Sequence, residues 1–191
     1  MAASTARYFG FNFVDAKIQY DVAGTRTEVD ILYANQMAIE TEEENIEFEG
    51  DGQKRVLYVT TGMTVTLTPD AINVAAASVL FGKTEVTASV PDSGTSLTWF
   101  GEVAESTGAS AGLKAQMSAI KIVAGVESTV DLYLWIPLGT LTLAPVGDIT
   151  TAAKIGPQEW RLSAVRTAVD VSGDALPGVP TGGAFYALYE A

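Results

Sequence analysis

The sequence predicts a mainly β fold with one α-helix, on three observations. Long stretches alternate apolar and polar residues, Gly and Thr are abundant while charged residues make up only 18%, and a single segment has helical periodicity with signals at both ends. The 191 residues fit one domain, 1–191, large enough to bury a substantial core.

The first alternation begins at Val29, where Val29, Ile31, Tyr33, Met37 and Ile39 oppose Glu28, Asp30, Gln36, Glu40, Glu42 and Glu44, as a half-buried strand requires. After Asn45 the phase inverts, with Ile46 and Phe48 against Glu47, Glu49 and Asp51, which predicts a bulge or a corner. Gly50-Asp51-Gly52 reads as a turn into a return strand, with Leu57, Val59, Met63, Val65 and Leu67 opposed by Tyr58, Thr60, Thr64, Thr66 and Thr68. A long β-hairpin follows.

Thr68-Pro69-Asp70 has the form of a helix start, with Thr68 as N-cap and Pro69 at the first helical position. Ile72, Ala75, Ala76, Val79 and Leu80 then form one apolar stripe, and Gly82 suits a left-handed C-terminal cap. The predicted helix covers about 69–81. Strands are expected at 97–104, 113–123, 129–143 and 158–171, with a loop at 105–112 that orders against a neighbouring subunit. The strand over 129–143 is apolar on both faces, Val130, Leu132, Leu134, Ile136 and Leu138 against Tyr133 and Trp135, so something beyond the core has to cover it; a partner subunit is one candidate. A Pro/Gly-rich loop or arm at 173–183 and a terminal strand or docking segment Phe185-Tyr186-Ala187-Leu188-Tyr189 close the chain, and no internal repeat is read.

The formal net charge is −12, from 23 acids and 11 bases, so specific DNA or RNA binding is not expected. No apolar leader is read in 1–17, and Pro137, Gly139, Pro145 and Gly147 interrupt the most apolar stretch before the ~20 residues of a membrane helix, so no membrane partner is expected.

Catalytic signals are few. Gly108-Ala109-Ser110-Ala111-Gly112 matches the nucleophile-elbow pattern, but the chain has no His and no Cys, which removes the Ser-His relay and thiolate chemistry. Ser-Lys chemistry with Lys114 stays formally open, and the loop-like composition favours a structural role for Ser110. Glu40, Glu42 and Glu44 share one strand face. Paired carboxylates can act as acid and base or hold a hard cation, but alternation alone places them on a solvated face. Trp99, Trp135 and Trp160 could form a sugar platform, although their apolar neighbours point to packing. No phosphate loop, dinucleotide fingerprint, zinc spacing or calcium loop occurs, so no catalytic residue, metal or cofactor is expected and the chain reads as a non-enzyme.

The acidic strand Ala38-Ile39-Glu40-Thr41-Glu42-Glu43-Glu44, its continuation Ile46-Glu47-Phe48-Glu49-Gly50-Asp51-Gly52, the Thr-rich return strand and the helix ending Val79-Leu80-Phe81-Gly82 resemble the major tail tube proteins of tailed phages. Trp160-Arg161-Leu162-Ser163-Ala164-Val165 and Val169-Asp170-Val171 resemble the late strand of that family, so the similarity spans roughly 28–171. The resemblance implies a β-sandwich/barrel-like tail-tube fold with one flanking helix and hexameric rings whose inner strands join into one barrel. It further implies rings stacked as a virion conduit for genome delivery, made in the host cytoplasm, with long non-contractile tails favoured over the similar contractile-tail and type VI secretion tubes. Implied partners are further copies of the chain, the tape measure, tail terminator and distal tail or baseplate proteins, and DNA that passes without specific binding. Glu40, Glu42 and Glu44 become lumen-facing residues, and 1–10 and 173–191 become segments that contact other subunits. The alternatives are a secreted or surface β-sandwich carbohydrate-binding module and a phage head-decoration or neck protein.

Overall fold

Antiparallel hairpins build the molecule, which a computed structural model describes over residues 6–31, 34–50, 53–69, 74–82, 86–87, 96–97, 108–143 and 159–190. Strands β1 (Arg7–Val22), β2 (Thr25–Asp30), β3 (Ala34–Gly50) and β4 (Gln53–Pro69) precede helix α1 (Val74–Phe81). Two short strands, β5 (Val86–Thr87) and β6 (Ser96–Leu97), pair with each other. Then come β7 (Ala109–Val123), β8 (Val126–Leu143), β9 (Trp160–Ala164) and β10 (Ala187–Glu190). All but β5 and β6 join one antiparallel eight-stranded sheet in the order β2-β1-β7-β8-β9-β4-β3, with β10 added on β8. The fold is mainly β, as the alternation requires.

One face of this sheet carries the core. Ala16 and Ile18 of β1, Val65 and Leu67 of β4, Leu113 of β7, Ile136 and Leu141 of β8 and Trp160 and Leu162 of β9 pack into a single buried cluster. Each large side chain removed from water there contributes about 1.5–3 kcal/mol. The sheet curves enough that β3 also touches β1, and the Ile31 N–H donates to the Ala16 carbonyl at 3.0 Å where the chain leaves β2. Helix α1 adds Ala76, Ala77 and Phe81 to the cluster, the Phe81 ring lying 6.1 Å from that of Trp160.

The helix differs from expectation at its start. Thr68 and Pro69 belong to β4, paired with Gln36 and Ala34, so the cap-like Thr-Pro pair is used by the sheet; residues 70–73 lie outside the described residues. Its buried side is Ala76, Ala77 and Phe81 with Leu80, rotated from the expected stripe, and Val79 is half-exposed. The C-terminal signal holds, since Gly82 has φ +66°.

The strand read from Val29 onward is in fact two strands, β2 ending at Asp30 and β3 beginning at Ala34. β1 has no clean period because two register shifts, between Phe9 and Asn12 and between Phe13 and Asp15, flip its faces. The expected strand over 158–171 is regular only at Trp160–Ala164, and beyond Ser96–Leu97 the strand expected over 97–104 lies outside the described residues.

A repeat is present after all. Val22-Ala23-Gly24-Thr25-Arg26-Thr27-Glu28-Val29-Asp30-Ile31 matches Val123-Ala124-Gly125-Val126-Glu127-Ser128-Thr129-Val130-Asp131-Leu132 in its Val-Ala-Gly start and its Val-Asp-aliphatic end. Each copy closes a two-residue hairpin, Val22 pairing with Thr25 and Val123 with Val126. In both turns Ala and Gly are left-handed, φ 52° and 80° in one and 52° and 83° in the other, as a type I′ turn demands. The offset between the copies carries Asp15 onto Gln116, its own partner across β1 and β7, so β2-β1 and β7-β8 are related by a local two-fold through that pair. A left-handed Ala costs about 1 kcal/mol where Asn is tolerated. Ala23→Asn is therefore expected to raise unfolding stability by up to about 1 kcal/mol in urea titration; a neutral or lower value would count against the turn assignment.

Candidate functional site

The β3–β4 hairpin outruns the sheet that supports it. β4 pairs with β9 only over Met63–Leu67, whereas its pairing with β3 continues to Gly50 and Gln53. From Glu42 to Gly50 that is roughly 26 Å of ribbon, at about 3.3 Å per residue, with no third strand paired to it among the described residues. Within the sheet Met37, Ile39 and Thr41 align with Leu67, Val65 and Met63 on the core side. At Thr61 the return strand carries one extra residue, since Glu42 pairs with Gly62 and Glu43 with Thr60. The expected phase inversion after Asn45 thus has no bulge in β3; the interruption is in β4, and the pattern changes because no core lies beyond it.

Over residues 42–47 and 56–58, both faces of this arm meet solvent. One carries Glu40, Glu42, Glu44, Ile46 and Leu57, and the other Glu43, Asn45, Val56 and Tyr58. Leu57 is 51% exposed and Tyr58 65%. The structure therefore places Glu40, Glu42 and Glu44 on one exposed face, opposite Met37 and Ile39. Neither groups of three or more potential metal ligands nor an ion pair to these three carboxylates occurs among the described residues.

The other sequence candidates scatter. Ser110 is exposed in strand β7, paired with Thr140, so Ala109 to Gly112 are strand and not loop; residues 105–107 lie outside the described residues. A strand continuing through Ser110 is incompatible with the sharp strand-to-helix turn of an elbow. Lys114 lies over the Tyr133 ring at 5.0 Å. Trp160 is fully buried, and its indole N–H finds no acceptor among the described residues. Trp135 donates its Nε1–H to Gln19 Oε1 at 2.7 Å, and the Arg26 guanidinium stands 5.2 Å from its ring. That leaves no flat tryptophan platform on Trp135 or Trp160, and Trp99 lies outside the described residues.

The second apolar face of β8 is covered, at least over Tyr133 and Trp135, by the chain itself. Tyr189 of β10 stacks on Tyr133 with centroids 5.2 Å apart, and Pro177 and Ala187 border Trp135. The Pro/Gly-rich segment is thus a folded loop, pinned at Asp170. This buried carboxylate accepts from Ser172 N–H, Ser172 Oγ–H and Asp174 N–H through Oδ1, while Oδ2 meets Arg26 Nη1 at 2.8 Å. Burial pushes the Asp170 pKa up, but the Ser172 and Asp174 hydrogen bonds and Arg26 outweigh it and hold the group below its ordinary value. At the chain's end Glu190 bridges Lys121 at 2.6 Å and accepts from Tyr8 Oη–H at 3.1 Å, tying β10 to β7 and β1.

On the core side of the sheet, beyond the buried cluster, Phe11, Ile39, Met63, Met117, Leu134 and Leu188 line an open apolar hollow of about 260 Å³. Exposed aromatics at both ends of the chain, Phe9, Phe11, Tyr186 and Tyr189, belong to β1 and to the β10 region rather than to free tails.

Because the folded-state pKa of Asp170 is lowered, its stabilisation is complete above the ordinary carboxylate pKa and is lost as pH falls through the folded value. Asp170→Asn should lower unfolding stability by about 2 kcal/mol at neutral pH, discounted for the half-exposed Arg26. The gap from wild type should close in acid; a pH-independent gap in urea titrations would refute this account.

No protein-family model matches the chain, and no curated protein is similar to it.

Proposed function

We propose that this chain is a non-catalytic structural protein that assembles with copies of itself into hexameric rings stacked as the tube of a phage-like tail. The observation that carries the reading is the β3–β4 arm. A two-stranded ribbon with Ile46, Val56, Leu57 and Tyr58 in water is marginal alone and gains its stability from a surface it meets. An acidic element with exposed apolar side chains suits a protein whose partner is another copy of itself.

Charge supports the conduit. DNA carries one charge per ~1.7 Å of duplex, so a basic wall would hold a passing genome by counterion release, and an acidic wall lets it slide. Glu40, Glu42 and Glu44 occupy the face of β3 turned away from the core, where carboxylates do nothing for folding because like charges in adjacent copies repel. In this reading they line the lumen, and the ring closes the sandwich-like sheet into a barrel shared between subunits. The tail's tape measure, terminator and distal proteins are its further partners, with no metal or cofactor.

Negative-stain microscopy of the purified protein tests the reading. Tubes or stacked rings are expected; trimers would favour a head-decoration role, and dispersed monomers would refute self-assembly. For the lumen, Glu40→Lys, Glu42→Lys and Glu44→Lys together should leave tubes intact but slow genome release, with relief at higher salt. Normal release at low salt from intact tubes would remove the lumen assignment.

A further inference from the structure

The sheet face opposite the core has a groove of about 340 Å³ bordered by Arg26, Lys114, Trp135, Pro177 and Tyr189. Lys114 is its distinctive group. It stands directly across from Lys17 in the β1–β7 register, an unfavourable like-charge pair unless each lysine is compensated. Lys17 is compensated by Asp30 at 2.9 Å and Arg26 by Asp170, but among the described residues Lys114 has the Tyr133 ring and no carboxylate ion pair. The groove's own carboxylate, Glu28, accepts a hydrogen bond from the neutral Gln19 side-chain amide at 2.8 Å and keeps its charge, but it forms no ion pair with Lys114 among the described residues. In a chain with 23 acids and 11 bases, an unneutralised ammonium beside aromatic rings on an outer face calls for an incoming anion with an apolar neighbour.

The arm offers that combination. Glu43 and the 65%-exposed Tyr58 share the face opposite Glu40, Glu42 and Glu44, and Glu43 has no basic partner among the described residues. We propose that the groove at Lys114 receives the arm of a second copy, with the Glu43 carboxylate on the Lys114 ammonium and the Tyr58 ring against the exposed Tyr189. Aromatic anchors flanked by a charge pair are what a specific interface concentrates at its centre. The contact is heterologous, arm to groove, so each copy uses both surfaces and the contact propagates to a ring or a helix. It also leaves the Glu40, Glu42 and Glu44 face free for the lumen. This inference rests on the self-assembly reading above.

Lys114→Glu and Glu43→Lys are the test, each with its thermal midpoint measured to establish folding and its assembly followed by sedimentation. Each single variant should raise the protein concentration needed for assembly by at least about tenfold, because like charges would then face each other. An equimolar mixture of the two should assemble as wild type does, since alternating copies restore one opposite-charge pair at every contact. Lys114→Gln, which removes charge without reversing it, should fall between and covers the case in which Lys114→Glu does not fold. Single variants that assemble like wild type, or a mixture that stays dispersed, would overturn the groove assignment while leaving self-assembly standing. Wild-type protein that never assembles would overturn the self-assembly reading itself.

Discussion

Strand β8 has to satisfy two successive partners along one edge, and the rest of the sheet depends on how it does so. Its other edge pairs with β7 along nearly its whole length, but on this edge β9 occupies Gly139–Leu143 and β10 occupies Leu132–Trp135. Among the described residues, β9 in turn is the link by which the β3–β4 hairpin joins the sheet order, through Met63–Leu67. A five-residue strand can hold only five residues of each neighbour. The remainder of β4 and β3 therefore leaves the sheet, with residues 42–47 and 56–58 exposed, and the arm is a consequence of that short strand as much as of its own sequence.

The same edge explains the C-terminal segment. Without β10, Leu132–Trp135 would have ladder partners only on the β7 edge, and the Tyr133 ring would lose its stacking partner Tyr189. β10 supplies the partners, and the loop pinned at Asp170 brings Pro177 to the border of Trp135. Buried Asp170 carries three hydrogen bonds and a cation, so the loop's position is fixed by a group that cannot be left unpaired without a large desolvation cost. The apolar second face of β8 that suggested a partner subunit is in this way answered largely within one chain, and the unanswered apolar surface moves to the arm and to the hollow beside Leu188.

How much of this was legible varied with the local physics. The β3–β4 hairpin and the shared face of Glu40, Glu42 and Glu44 could be read because alternation survives wherever a strand runs straight. β1 could not be read, since its two register shifts scramble the period while leaving Ala16 and Ile18 in the core. The hairpin turns escaped notice because their first residue is Ala, which composition does not mark as a turn former, although the Val-Ala-Gly repetition was available as a signal. Thr68-Pro69 misled because a helix-cap signal is local and weak, and ladder pairing to Ala34 and Gln36 overrode it. Lys114 entered only as a formal partner for Ser110; its distinguishing feature, an unshared charge opposite Lys17, depends on register and cannot be read along one strand.

Edge exposure imposes a final constraint. β3 is the last strand in the sheet order, and an edge seventeen residues long invites pairing with any other exposed edge. Two arms of identical copies aligned side by side in register would bring Glu40, Glu42, Glu43 and Glu44 of one against the same residues of the other, and their repulsion opposes that pairing over the very stretch where the ribbon is least supported. The hydrophobic residues interleaved with them, Ile46, Leu57 and Tyr58, still favour removal from water. If the arm is covered by another copy, as proposed, a surface that rejects its own likeness would have to meet a different patch on that copy. A heterologous contact of that kind would not stop at a pair, because each copy would retain an unused arm or groove until the series closed on itself, as the proposed ring would require.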